Sequence, residues 1–477
     1  MNYKVIFHTL GWVLIIEAIC MVPALLCSAI YKESLTALLI GILISLLVGF
    51  LLTKIPGKKK EMYAKEGFVT VALSWIVMSI FGAVPFVISG YIPNFFDAVF
   101  ETVSGFSTTG ASILSDLDSL PRGLIFWRSF THWMGGMGVI VFLVALLPLS
   151  GGSNVYLLKA ESPGPDVGKI VPKVKKTAMI LYGIYVSLTV VQIIILLISK
   201  MPIFDALTLS FGTAGTGGFA VRNSGFSEYT SFQQWVITIF MILFGVDFSF
   251  YYLLLIKKFT SALKMEEVRM YFIIVITAII LISINCYGVY ENVSETIKHS
   301  AFQVGAIITT TGYSTTDFDL WPEFSKVILI LLMFVGACAG STGGGIKVSR
   351  IMIFFKSIIK ELRIIAHPKR THKITMNGRI VEHEIARGVS VYMMAYLIIF
   401  AASVLVVSFD NFGFTTNFTG VLATINNIGP GLDGVGPTRN FGMYSNLSKV
   451  VFSLDMLFGR LEIFPMLVLF APNTWRK

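Results

Sequence analysis

The sequence predicts an all-α polytopic membrane protein: two N-terminal helices, then four M1–P-loop–M2 repeats arranged pseudo-four-fold around one axis. Three observations predict it. The 477 residues are 55% hydrophobic and only 13% charged, against about 25% charged in soluble domains, and apolar runs near the length of a bilayer span recur throughout. Four half-length apolar segments end in polar loops whose glycines, at 110, 217, 312 and 429, lie 107, 95 and 117 residues apart. Lysine and arginine concentrate in alternate connections (54–65, 159–176, 257–269 and 347–387), while the intervening ones carry carboxylates such as Asp97, Glu101, Asp116, Glu291 and Asp317.

The elements follow in order. Residues 5–31 and 35–54 read as two spans forming a unit over 1–60; the first is too long for a signal-peptide core and lacks a small-residue cleavage site, which predicts a retained helix. Repeat 1 (61–155) holds a span at 67–92, the half-length "NFFDAVFETVSGFSTTGAS", and a span at 124–149. Repeat 2 (156–262) holds 178–200, "IFDALTLSFGTAGTGGFA" and 232–256. Repeat 3 (263–383) holds 268–290, "SETIKHSAFQVGAIITTTGYS", and a span at 326–359 interrupted by "GACAGSTGGGIK". Repeat 4 (384–477) holds 385–409, "TTNFTGVLATINNIGPG" and 447–470. The half-length segments are too short to span and suit re-entrant helices. Irregular backbone at membrane depth survives only inside protein or beside water.

The net charge of +10 does not indicate nucleic acid. Its alternation along the chain follows the positive-inside rule and predicts cytoplasmic termini and basic loops. The four cysteines lie in apolar or glycine-rich segments without a CxxC pair, so neither a disulfide framework nor a zinc site is predicted. His367, His372 and His383, with Glu382 and Glu384, fit no ligand spacing and read as a solvated partner surface. No catalytic motif for an enzyme is present.

The loops offer neutral oxygen ligands: Thr108, Thr109 and Gly110; Gly215, Thr216 and Gly217; Thr310, Thr311 and Gly312; Asn427, Ile428 and Gly429. Four sets of carbonyls meeting on an axis can replace the hydration shell of a monovalent cation. Half-helices ending there turn their negative dipole ends toward it. A ring without carboxylates suits a large monovalent ion that must leave again.

With these loops, "THWMGGMGVIV", "GSTGGGIK" and "MLFGRLEIFP" in this order, the sequence resembles the TrkH/TrkG-type membrane subunit of bacterial potassium uptake systems, within the wider Trk/Ktr/HKT superfamily. The resemblance covers essentially the whole chain, and the two extra N-terminal helices favour the TrkH type. It implies potassium uptake across the bacterial inner membrane, filter glycines at Gly110, Gly217, Gly312 and Gly429, and K+ as the only metal, held at the filter. It further implies a homodimer in membrane lipid and a cytoplasmic, TrkA-like nucleotide-binding partner, with no cofactor in this chain. None of the loops reads TVGYG, and Ile428 replaces a threonine, which implies weaker exclusion of sodium.

The resemblance makes the stretch with Gly336, Gly340, Ser341, Thr342, Gly343, Gly344 and Gly345 an intramembrane gate. The glycine triplet alone predicts a loosely held break in a span; close GxxxG helix packing is the competing reading. A phosphate loop is excluded because Ile346 separates Gly345 from Lys347. Arg460, in the middle of an apolar run, faces the protein interior. It either pairs with Asp455, Asp247 or Glu462 or, as the resemblance implies, sets a positive charge on the axis at the gate. Arg128 and His132, one turn apart, read as snorkelling or loop support rather than as ion ligands, and Asp247 similarly. The alternative to a channel-like pore is a sodium- or proton-coupled carrier, whose broken helices would come from inverted rather than parallel repeats.

Overall fold

The computed structural model describes residues 1–55, 64–136, 138, 174–369 and 372–475. Expectations for the basic stretches 58–60 and 159–173, and for the first repeat's second span beyond Gly138, lie outside the described residues. Among the described residues the regular structure is helical apart from one hairpin of two-residue strands, in which Thr375–Met376 pairs antiparallel with Arg379–Ile380.

Long apolar stretches form the helices expected of them. Tyr3–Ile30 and Thr36–Thr53 lie against each other where Gly11 meets Gly49: a methyl on Gly11 would sit 2.7 Å from Gly49 O. Small residues at such a crossing let two backbones approach. The first helix of each repeat is Ala64–Gly82 (continued by Val84–Ile88), Val174–Ile198, Glu266–Asn285 and His383–Val407. With the N-terminal pair they supply the six straight helices long and apolar enough to cross a membrane among the described residues.

The half-helices are Phe95–Phe106, Ile203–Gly215, Val293–Ile308 and Phe414–Ile425, of 12, 13, 16 and 12 residues. At 1.5 Å per residue they reach about 18–24 Å, short of the roughly 30 Å hydrocarbon layer. Three of their buried threonine hydroxyls are satisfied locally: Thr102, Thr208 and Thr424 donate to the carbonyls four residues earlier.

The second helices depart from expectation. A single interruption, in repeat 3, was expected. It is present, since helix ends at Met333 and resumes at Val348. Yet 232–256 is not one span: Ser231–Phe244 and Phe248–Leu255 meet at a 91° bend. Gly245 closes the first helix, and Asp247 caps the second by accepting from Ser249 N at 2.7 Å. Likewise 447–470 is two helices, Asn446–Arg460 and Phe464–Phe470. Glu462 (φ 56°) and Ile463 (φ 66°) occupy the left-handed region between them, and Pro465 starts the next helix. The first repeat's second helix is described as Arg122–Gly136.

Candidate functional site

The four half-helices end alike. Thr109, Gly217, Thr311 and Ile428 each donate their N–H to the carbonyl five residues earlier, at 2.8–2.9 Å. The residue before each is left-handed: Thr108 (φ 58°), Thr216 (55°), Thr310 (60°) and Asn427 (55°). The residue after each is a glycine of positive φ: Gly110 (80°), Gly218 (77°), Gly312 (78°) and Gly429 (97°). This repeated helix ending satisfies the orphan carbonyls of the last turn.

The register corrects one sequence expectation. Gly218, not Gly217, is the counterpart of Gly110, Gly312 and Gly429, and Gly215 is the last residue of its half-helix. The second loop is therefore Thr216, Gly217 and Gly218. Two consecutive glycines leave the register open in the sequence; the backbone closes it, because only the second has positive φ.

The loops pack in closed cyclic order. A methyl built on Gly110 would strike Gly217 O, one on Gly218 would strike Thr311 O, one on Gly312 would strike Ile428 O, and one on Gly429 would lie 2.7 Å from Thr109 O. The four carbonyls are those of equivalent residues. Asn427 Nδ2 donates to Thr109 Oγ1 at 3.0 Å, tying the last loop to the first. Gly110, Gly218, Gly312 and Gly429 together line a cavity of about 220 Å³, with Asn223 and Arg439 in its wall. Asn223 also donates at 2.7 Å to Asp116, and that bond first of all holds the Asp116 carboxyl below its ordinary range.

Behind the loops lies a buried polar frame. Arg128 Nε is 2.6 Å from Glu101 Oε1, both side chains being essentially unexposed. Glu101 also accepts from Ser112 Oγ and Ile113 N, each at 3.0 Å, and Arg128 donates to Ala220 O at 2.9 Å. One ion pair thus braces the chain leaving loops 1 and 2. His132 Nε2 accepts from Phe219 N at 3.3 Å, so its proton sits on Nδ1, which donates to Gly105 O at 2.8 Å. Arg128 and His132 sit beside the loops through protein contacts. Glu101, grouped by sequence with the connecting-loop carboxylates, is part of this frame; its 27-residue separation from Arg128 left no local signal.

The glycine-rich break lies on the half-helix side of the ring, away from the cavity. Gly344 N donates to Thr310 Oγ1 at 2.7 Å, a methyl on Gly343 would lie 3.1 Å from Thr309 O, and one on Gly345 would lie 3.3 Å from Asn426 O. The expectation of a loosely held stretch is corrected, because other elements supply its partners. Gly336 N donates to Ile346 O at 2.7 Å, closing the neck of the loop, and Cys338 N and Thr342 N reach Gly245 O and Phe244 O. Glu267 Oε1 accepts from Ala339 N at 2.7 Å and Ser349 N at 2.9 Å, holding both arms. Lys347 folds back to donate to Gly343 O and Gly344 O. GxxxG helix packing is also overturned here, since Gly336, Gly340 and Gly344 are not helical.

Arg460 connects this break to the first repeat. Its guanidinium donates to Thr342 O at 2.7 Å and to Gly135 O and Gly136 O at 2.5 and 2.8 Å. The carboxylates that the sequence offers as partners are engaged with Ser403 (Asp455), Arg350 (Glu462) and Ser249 N (Asp247). Asp247 caps a helix, beside Gly340.

The TrkH family, described as cation transport proteins, matches residues 35–477. The chain belongs to the TrkH family. Over their full lengths it is 35% identical to the Trk system potassium uptake proteins TrkH of Salmonella typhimurium and Escherichia coli K12. It is 32% identical to the Trk system potassium uptake protein TrkG of Escherichia coli K12, covering all of this chain and 99% of that one. The crystal structure of the potassium transporter TrkH from Vibrio parahaemolyticus superposes with a TM-score of 0.89 at 30% identity, covering both chains completely. Such relatives are transporter subunits, and this chain is not an enzyme.

Proposed function

We propose that this TrkH-family chain carries potassium ions inward across the bacterial inner membrane, through a single-chain pore formed where its four loops meet. The observation that carries the reading is the closed ring of equivalent carbonyls from Thr109, Gly217, Thr311 and Ile428 around glycines of positive φ. Peptide oxygens there replace water around the ion, with the four half-helix C-termini adding partial negative charge. Thr108 Oγ1, buried and without a partner among the described residues, is a further oxygen for the same ion. The names of the relatives supply potassium as the ion.

The break at 336–345 is the gate and Arg460 its latch. A guanidinium bonded to Thr342 O and to the end of the first repeat's helix lies across the path below the ring, and its charge raises the barrier for a cation. Opening requires those bonds to part. Control comes from a cytoplasmic nucleotide-binding partner of the TrkA type docked on the basic loops, with the chain itself paired as a homodimer and both termini cytoplasmic. Inward flow gains about 2.3 kcal/mol per 100 mV of inside-negative potential. The test is rubidium uptake into proteoliposomes at an imposed potential, with potassium and sodium as competitors and Gly312→Ser as control. Competition by potassium over sodium, lost in the variant, supports the reading; uptake that requires a fixed sodium or proton stoichiometry contradicts it.

A further inference from the structure

A second cavity, of about 390 Å³, opens beside the ring and is lined by Asp118, Arg122, Phe204, Asp205, Arg222 and Glu228 among others. Its size is that of a small-molecule site, and its chemistry is of mixed sign. The Arg122 guanidinium makes no ion pair among the described residues and lies over two rings, Tyr31 at 5.1 Å and Phe204 at 4.9 Å. Asp205 is 1% exposed. Its Oδ2 is taken by Arg222 at 2.6 Å and Tyr229 at 3.1 Å, but Oδ1 is buried with no partner among the described residues. A buried carboxylate oxygen left unbonded costs free energy that a ligand donor recovers.

We propose that this cavity binds a phosphoethanolamine zwitterion, carried by a membrane lipid. The phosphate meets the Arg122 fork, whose planar donors match its oxygens, and the ammonium N–H groups donate to Asp205 Oδ1, with Asp118 adding negative charge while Glu228 is held by Arg222 at 3.0 Å. The surroundings point to a lipid as the carrier. Ile30, Ile198 and Ile203 are 77%, 76% and 68% exposed at the same end of the helices, with the half-exposed Tyr31 between them; an interfacial tyrosine beside bare apolar side chains is where acyl chains and headgroups meet. Arg222 lines both cavities, so the headgroup sits one side chain away from the space above the ring.

The test uses the full-length protein purified from nanodiscs of mixed phosphatidylethanolamine, phosphatidylcholine and phosphatidylglycerol, with retained lipid counted by mass spectrometry. The wild type should retain phosphatidylethanolamine over phosphatidylcholine, whose quaternary ammonium has no N–H for Asp205, and over phosphatidylglycerol, which has no cation. Arg122→Ala, on an exposed side chain, should lower that retention about tenfold, the loss of one charge-assisted contact. Asp205→Asn should erase the preference over phosphatidylcholine. Saturable binding of soluble O-phosphoethanolamine in lipid-free detergent, lost in the same variants, would keep the site and assign it to the free zwitterion. Equal retention of the three lipids without such binding, or unchanged retention in Arg122→Ala of wild-type melting temperature, overturns the proposal.

Discussion

Gly218→Ala probes the ring at the position the backbone, rather than the sequence, identifies. Two effects add. An alanine held at φ 77° sits in the left-handed region, which costs an L-residue about 1–2 kcal/mol. Its methyl also strikes Thr311 O, a backbone atom that no side-chain rotation can move aside; relieving such an overlap costs about 1–3 kcal/mol. The sum, about 2–5 kcal/mol, depletes the wild-type loop geometry by roughly 30-fold even at its lower end. Rubidium uptake into proteoliposomes should therefore fall by an order of magnitude or more, and sodium should compete better, because loops 2 and 3 separate. Gly183→Ala, with nothing within 4 Å of the new methyl among the described residues, is the matched control and should leave uptake unchanged. A folded Gly218→Ala protein with wild-type uptake and sodium competition would refute the reasoning.

Three further outcomes follow from the same contacts. Arg460→Ala removes three bonds, to the carbonyls of Thr342, Gly135 and Gly136, and should raise basal rubidium flux; unchanged flux with normal folding would end the proposed latch. Glu267→Ala frees Ala339 N and Ser349 N, each worth about 1–3 kcal/mol when buried and unbonded. Amide exchange across 336–349 should accelerate while that at the half-helix ends does not, and uniform protection would contradict the tether. Glu101→Ala strands the buried Arg128 and should destabilise the protein by about 3–5 kcal/mol, read as a lowered melting temperature; the double variant with Arg128→Met should melt higher than Glu101→Ala alone.

Much of this architecture is written locally. The half-helices are visible because moderate apolarity stops after 12–16 residues at a glycine, and the N-terminal pair because apolar runs of span length need no partner to be recognised. What the sequence withheld depends on contacts between distant residues or on backbone angles. The Gly217–Gly218 pair fits either register until φ is known. Gly245 marks the break in repeat 2 and Glu462-Ile463 the break in repeat 4, but an isolated glycine in an apolar run, or a Glu-Ile pair, reads equally well as helix. The tethers of the glycine-rich stretch come from Glu267 and Thr310, far away in the chain, so its composition predicts slackness where the fold supplies partners. Glu17, buried within the first helix with both carboxylate oxygens unbonded among the described residues, stands in the middle of an apolar run, where an ionisable side chain turns to the protein interior.

The central claim is that an alkali ion sits among peptide oxygens from all four loops. Anomalous diffraction from crystals of the full-length protein grown in rubidium measures this most directly. Rubidium peaks on the axis bounded by Gly110, Gly218, Gly312 and Gly429, displaced by excess potassium, are the predicted result. Rubidium bound elsewhere, with that axis empty in protein that still takes up the ion, would contradict it.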